Sequence, residues 1–174
     1  TVNLDENGKP DYDKKKGNFV WGKDAKPVLR WFNGKWKRKI IGEDDTYTTT
    51  PVVMAETVGS RDDPNSKIYP FKLMVGNQPA DTVNQRIIVP HLFGKGPGPG
   101  AFWITFQWAD AIAEGAAYAD QPYSGTFGFV ETEMYLSVNH EVAPKEFALG
   151  YESCNDCHDG GIDFADLGYP GDPR

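Results

Sequence analysis

The sequence predicts a loop-rich α+β protein with a single domain, in which a β-hairpin-containing N-terminal half precedes a helical C-terminal part. Three observations support this class. Runs of β-branched and aromatic residues flank the dipeptide Asn33-Gly34. A helical pattern of small residues follows residue 102. The 13 prolines and 19 glycines interrupt both kinds of pattern, which predicts many loops.

The N-terminal half contains the strand signals. Residues 1–16 are polar without a hydrophobic period and are predicted to form an extended arm, so that the domain itself covers residues 17–174. Asn33-Gly34 tolerates the positive φ angles of a tight turn and predicts a hairpin of residues 28–32 and 35–41. Further short strands are predicted at residues 48–54, 69–75 and 86–89.

The second half contains the helix signals. One long helix is predicted from residues 102–108 to residue 119, with a face of mostly small residues that suits close packing. That face consists of Trp108, Ala111, Ile112, Gly115, Ala116 and Ala119. A shorter helix is predicted in APKEFALG, where Pro144 suits the first turn and Gly150 provides a stop.

Composition excludes two classes of partner. The formal net charge of -7 argues against nucleic acid, because phosphates are bound by basic surfaces. No run approaches the roughly 20 apolar residues that a membrane-spanning helix needs. The chain begins TVNLDENGKP, without Met or a signal-like segment, which suits either an exported protein after signal removal or part of a longer chain.

The sequence ESCNDCHDGG contains the motif with the clearest chemistry. Cys154 and Cys157 are spaced to add their thiols across the two vinyl groups of one haem, and His158 follows at once as the proximal iron ligand. The chain has no other cysteine, so neither a disulfide framework nor a four-thiolate zinc site competes. The motif predicts one covalent haem c and makes the C-terminal part a haem-binding part.

Three other interpretations of the motif remain open. A zinc ion bound by Cys154, Cys157 and His158 needs a fourth ligand, which His140 or His91 could supply. A thioredoxin-like dithiol needs a βαβ pattern that the sequence does not show. The three reactive side chains could also be adjacent by chance.

The distal iron ligand is predicted separately. His140 is the first choice, because a short helix starting at Pro144 could carry the chain around the haem edge. Met74 and Met134 are less favoured, since methionine more often fills a core. His91 is better interpreted as a histidine with its own partner at a strand end. A ligand from another chain or an open site completes the alternatives.

Several segments together resemble a known family. GNFVWGKDAKPVLRWFNGKWKRKIIG, SKIYPFK, PYSGTFGFVETEMY, NHEVAPKEFAL, CNDCH and IDFADLGYPGDP follow one another in order. In these segments the chain resembles the C-terminal part of the octahaem tetrathionate reductase family of multihaem c-type cytochromes. The resemblance covers roughly residues 17–173 and implies haem attachment at Cys154, Cys157 and His158, with His140 similar to a distal histidine of the family.

The departures from that family limit what the resemblance implies. Its members carry eight haem motifs, and this chain has one. Their catalytic haem, with its lysine ligand, has no counterpart here, so tetrathionate reduction is not implied. The chain is expected to be a monohaem relative, a subunit that completes a larger haem assembly, or a fragment, with other redox proteins or haem-bearing chains as partners and an oligomer or larger complex as its setting.

The function expected from the sequence is electron transfer by a c-type cytochrome, in the periplasm or outside the cell, where haem c is attached. The acidic surface is either a solvated face or a docking face for a basic redox partner. An alternative from the enzyme class is part of a haem oxidoreductase that reduces a small sulfur or nitrogen oxyanion, for which GKWKRK offers cations. A helical-bundle cytochrome is opposed by the many prolines and glycines.

Overall fold

The computed structural model describes residues 2–13, 17–18, 26–94, 100–139 and 144–174. The strands are β1 (Val2–Leu4), β2 (Pro10–Asp13), β3 (Gly17–Asn18), β4 (Val28–Phe32), β5 (Lys35–Arg38), β6 (Val52–Val58), β7 (Lys67–Asp81), β8 (Arg86–Ile87) and β9 (Phe127–Ser137). The helices are α1 (Phe102–Thr105), α2 (Trp108–Tyr118), a 3-10 helix (Lys145–Phe147) and α3 (Asn155–His158).

The main sheet has six strands in the order β4-β7-β9-β6-β5, with β8 paired to the end of β7. Strands β6 and β9 are parallel and the other pairs are antiparallel, so the sheet is mixed. Its centre is the long pair of β7 and β9, which runs from Phe71 opposite Ser137 to Asp81 opposite Phe127. Strands β1, β2 and β3 form a separate antiparallel sheet.

The predicted fold class is wrong, because the sheet dominates the structure and the C-terminal part is not helical. In residues 144–174 the helical elements are the 3-10 helix and the four-residue α3. Within APKEFALG the described residues, 144–150, contain a single 3-10 turn, since Pro144 and Ala148 on either side of it are extended, with ψ angles of 155° and 138°. A segment this short forms a stable helix only when an apolar face is buried, and Phe147 is 79% exposed.

The predicted hairpin is also wrong, although both of its strands exist. Strand β4 pairs with β7 and β5 pairs with β6, so the chain changes neighbours at Asn33-Gly34. Gly34 does adopt a positive φ of 91°. The Asn33 N–H, however, donates to the Val58 carbonyl of β6 at 2.9 Å, which directs the chain away from β4.

The main sheet is strongly curled. In a flat sheet, β5 and β7 would be separated by three strand spacings, or roughly 14 Å. The ring centroids of Trp36 on β5 and Phe71 on β7 are instead 5.6 Å apart, and Phe32 on β4 lies 5.3 Å from Trp36. Aromatic side chains from both edges of the sheet therefore meet around the buried Phe71.

The long helix predicted after residue 102 is divided in two. Phe106 ends α1 with a left-handed φ of 58°, and α2 begins at Trp108. The packing face predicted for this helix is confirmed in α2, where the buried residues are Ala111, Ile112, Gly115 and Ala116. Ile112 and Ala116 form a core cluster with Ile88, and Ala111 accepts a backbone hydrogen bond from His91 at 2.8 Å.

Candidate haem-binding site

The C-x-x-C-H motif lies on one turn of helix. Cys154 is the N-cap of α3 with helical angles, φ −59° and ψ −28°, and its carbonyl accepts a hydrogen bond from the His158 N–H at 3.2 Å. Residues three and four apart on a helix share one face, so Cys154, Cys157 and His158 project on the same side. Both thiols are free. Two thiols and one imidazole, the donor types of a haem c site, therefore lie on one face of α3.

Local hydrogen bonds shape this short helix. The Asp156 carboxylate accepts hydrogen bonds from the backbone N–H groups of Ser153 and Glu152 at 3.2 and 3.0 Å, and from the Ser153 hydroxyl at 3.1 Å. The hydrogen bond from the Ser153 N–H has the largest effect on the pKa of Asp156. Together these bonds outweigh the effect of burial and hold that pKa below its usual value. A Cβ at Gly161 would lie 1.6 Å from the Asp156 carbonyl oxygen, so the chain leaving α3 requires glycine there.

The imidazole of His158 is held on its Nδ1 side and on one face. Nδ1 lies 2.5 Å from the Asp172 Oδ1 atom, and the ring stacks on Phe164 with centroids 5.1 Å apart and planes 25° apart. Asp172 also accepts a hydrogen bond from the Arg174 backbone at 3.0 Å. The Arg174 bond and the His158 bond together hold the pKa of Asp172 below its usual value. Nε2 is the atom left to bind iron.

Strand β4 anchors the segment that surrounds His158. Arg30 forms an ion pair with Asp166 and donates to the Tyr135 hydroxyl at 3.0 Å. Trp31, the next residue, donates from Nε1 to the Leu167 carbonyl at 2.9 Å. Phe164 contacts Tyr169, whose ring centroid lies 6.5 Å from that of Trp31, so the edge of the sheet fixes the same loop that contacts His158.

Exposed apolar side chains precede α3 in the chain. Phe147, Leu149 and Tyr151 precede the motif and are 79%, 50% and 53% exposed. Large apolar side chains grouped on a surface usually mark a binding site. A Cβ at Gly150 would lie 3.5 Å from the Cys157 sulfur, which places this segment beside the thiol. A haem attached at α3 would cover part of this apolar surface.

The predicted distal ligands are placed unevenly. His140 lies outside the described residues. Met74 on β7 and Met134 on β9 are directly opposite each other in the main sheet. Successive side chains of a strand alternate between the two faces of a sheet, so Met134 lies on the face opposite to Tyr135. Tyr135 is the residue that contacts Arg30, the partner of Asp166 in the segment after α3.

His91 has a carboxylate partner of its own. It follows β8, and its Nδ1 lies 2.8 Å from the Glu114 carboxylate on α2. Among the described residues, no group of three or more His, Cys, Asp or Glu side chains is placed to hold a metal ion. Within the same residues, no helix is long and apolar enough to cross a membrane.

Sequence reasoning did not find Asp172 or Phe164. Asp172 is 14 residues from His158, and Phe164 is six, so neither belongs to the local motif. The segment GYPGDP was visible only as part of a family resemblance, and no spacing rule connects its aspartate to the histidine. The contact depends on how the chain folds back after α3.

Comparison with known proteins gives the family. The model of the family described as "Cytochrome c bacterial" matches residues 1–161. The chain belongs to this bacterial cytochrome c family. Membership implies covalently bound haem c, and it confirms the prediction of a c-type cytochrome. Among curated proteins, none matches the chain.

One solved structure is similar over almost the whole chain. It is the octahaem cytochrome c from Shewanella oneidensis, with a TM-score of 0.81 and 38% sequence identity, and the match covers 99% of this chain and 40% of that chain. The chain therefore spans less than half the length of this relative. Family membership and this likeness support a haem c protein of electron transfer related to multihaem cytochromes.

Proposed function

We propose that residues 17–174 form a single haem c-binding domain, preceded by residues 1–16 as an arm, and that it transfers electrons through one haem. Cys154 and Cys157 would hold the haem through two thioether bonds, each formed when one thiol S–H adds across one vinyl group with no leaving group. His158 would bind the iron through Nε2. When bound, the haem supplies a one-electron ferric–ferrous couple.

One observation carries this proposal. Two free thiols and one imidazole lie on the same face of a single helical turn, with the imidazole oriented from behind by a carboxylate. The chain's residues attach and orient the haem, and the apolar side chains next to α3 shield it from water. Burial of this kind and the hydrogen bonds of the ligand set the potential.

We assign His140 as the distal ligand, with Met74 and Met134 as less favoured alternatives. A histidine on both sides of the iron leaves no position for a substrate. Two of the three lysines of GKWKRK do not favour the oxyanion reductase alternative either, because Lys37 pairs with Glu56 at 2.8 Å and Lys39 pairs with Asp44 at 2.9 Å.

The domain works in this proposal as a subunit or partner of a multihaem redox assembly. The similar octahaem chain is more than twice as long, and the acidic charge of -7 suits docking to a basic redox partner. Because haem c is attached to exported proteins, the expected location is periplasmic or extracellular.

The proposal is tested with protein produced in a host that matures cytochromes c. Intact mass should show one haem more than the polypeptide, and the reduced-minus-oxidised spectrum should show the bands of a c-type haem. Cys154→Ser and Cys157→Ser should each leave one thioether, and the double variant should lose the covalent haem. Ser153→Ala, a matched change next to the motif, should keep it. A purified chain with the mass of its amino acids alone would contradict the proposal.

The distal position is tested separately. Cyanide should leave the visible spectrum unchanged if His140 closes the sixth coordination site, and His140→Ala should allow cyanide to bind. A spectrum of the parent protein that shifts with cyanide would overturn the assignment of His140 and reopen the enzyme alternative. His91→Ala is the matched control, because its Nδ1 already has the Glu114 partner.

A further inference from the structure

We propose that Asp172 is a positioning residue for the iron ligand His158, and that its carboxylate lowers the reduction potential of the haem. This inference rests on the proposed function, because it needs a haem bound at His158. Asp172 touches neither iron nor haem, and it acts through the imidazole. The geometry of the contact, the restraint on the ring and the chemistry of the hydrogen bond support the proposal.

The contact is short and partly shielded from water. The Nδ1 and Oδ1 atoms lie 2.5 Å apart, which places the carboxylate in hydrogen-bond contact with the ring. The side chains of His158 and Asp172 are 21% and 35% exposed, so water screens the interaction less than it would screen a fully exposed pair. The backbone N–H of Arg174 donates to the same Oδ1 atom at 3.0 Å and fixes its position.

The imidazole ring is restrained in two directions. Asp172 fixes Nδ1, and Phe164 stacks on one face of the ring. The phenyl ring lies against a face of the imidazole and would therefore leave the Nε2 edge open to the iron. The iron ligand therefore has one preferred orientation, which is set by residues beyond the C-x-x-C-H motif.

The hydrogen bond determines how the ligand donates electrons. When Nε2 binds iron, Nδ1 carries the ring proton and donates a hydrogen bond to the Asp172 carboxylate. A carboxylate acceptor draws this proton toward itself, which makes the imidazole a more basic ligand. A more basic ligand stabilises ferric iron more than ferrous iron, and so does a nearby negative charge. Both effects lower the potential.

A comparison with the neighbouring carboxylate of Asp159 separates the effect of ligand basicity from the effect of negative charge. Asp159 follows the iron ligand directly, but its side chain is 65% exposed and pairs with Arg174 at 3.2 Å instead of with the imidazole. Asp172→Asn and Asp159→Asn remove the same charge near the same ligand. Only Asp172→Asn also weakens the hydrogen-bond acceptor that faces Nδ1 of His158.

The experiment is a potentiometric titration of haem-loaded parent, Asp172→Asn, Asp159→Asn and Asp172→Glu proteins, with ferric electron paramagnetic resonance spectra of each. Asp172→Asn should shift the ferric–ferrous equilibrium toward ferrous by about tenfold, or about 59 mV for one electron, and should change the g values. Asp159→Asn should shift the equilibrium by less than about threefold. Asp172→Glu restores the charged acceptor and should return toward the parent, and it serves as the test if Asp172→Asn fails to fold.

The outcomes separate the two proposals. Equal potentials for haem-loaded parent and Asp172→Asn proteins, or equal shifts for Asp172→Asn and Asp159→Asn, would overturn the role of Asp172 and leave haem attachment intact. A shift in Asp172→Glu as large as that in Asp172→Asn would also overturn it. Absence of haem from the parent protein would overturn both proposals together.

Discussion

The replacement of Gly115 by alanine sets helix propensity against packing. Gly115 lies inside α2, and glycine in a helix is about 1 kcal/mol less favourable than alanine. On propensity alone, Gly115→Ala should stabilise the protein. A Cβ at this position, however, would lie 2.0 Å from the Val89 carbonyl oxygen, 2.7 Å from the His91 nitrogen and 2.8 Å from the Pro90 carbonyl carbon.

The atoms that the new methyl group meets are all backbone atoms, so no side-chain rotation relieves the overlap. The helix and the segment after β8 would have to separate until the shortest contact reaches about 3.4 Å. That movement would loosen the packing of Ile112 and Ala116 on Ile88. Overpacking of a tight site costs about 3 kcal/mol, from which about 1 kcal/mol of propensity is subtracted. We therefore expect a net loss of about 2 kcal/mol.

The assay is urea denaturation followed by tryptophan fluorescence, with thermal unfolding as a second readout. A loss of about 2 kcal/mol should lower the melting temperature by about 4–8 °C for a chain of this size. Ala117→Gly, on the exposed side of the same helix, is the matched control and should lose only the propensity difference of about 1 kcal/mol. A Gly115→Ala protein as stable as the parent would refute the close approach of α2 and the segment after β8.

Three further predictions concern the buried carboxylates Asp45 and Asp81, and Arg30, which holds the segment of residues 162–172. Asp81→Asn replaces an oxygen that accepts hydrogen bonds from the Asn84 side chain and the Ser124 backbone. It should therefore lower the free energy of unfolding, measured by urea denaturation, by about 3 kcal/mol, and a loss below about 1 kcal/mol would contradict this. Burial alone would raise the pKa of Asp45 and Asp81, but hydrogen bonds outweigh it and hold both below the usual value. Their stabilisation should therefore be complete above about pH 4 and decrease as the pH falls through the lower folded-state pKa values, and an unfolding midpoint unchanged from pH 5 to pH 3 would argue against it. Arg30→Met should raise amide exchange in residues 162–172 about fivefold, or about 1 kcal/mol, because its ion pair is partly exposed; Lys67→Met, a change of a cation on the neighbouring strand β7, is the control and should leave this exchange unchanged.

The sequence revealed features that depend on neighbouring residues and missed those that depend on distant ones. The C-x-x-C-H motif is visible because it lies within five residues, and haem attachment there stays a prediction. The small-residue face of α2 was readable from helical spacing. Strand pairing was not readable from the sequence, because Asn33-Gly34 predicts a turn but does not indicate that β4 and β5 pair with different strands. Strand β9 was missed because its two glutamates interrupt the apolar pattern that marks a buried strand.

The position of the haem motif explains why its immediate environment was hardest to predict. A four-residue helix cannot stabilise itself, so α3 depends on groups that hold its ends and its histidine. Asp156 caps the turn locally, but the support for His158 comes from residues after the motif. That later segment is in turn fixed by Arg30 and Trp31, more than 130 residues earlier in the chain. The orientation of His158 is therefore a property of the curled sheet as well as of the motif, and a C-x-x-C-H peptide without β4 would lack the orientation that the sheet gives to this imidazole.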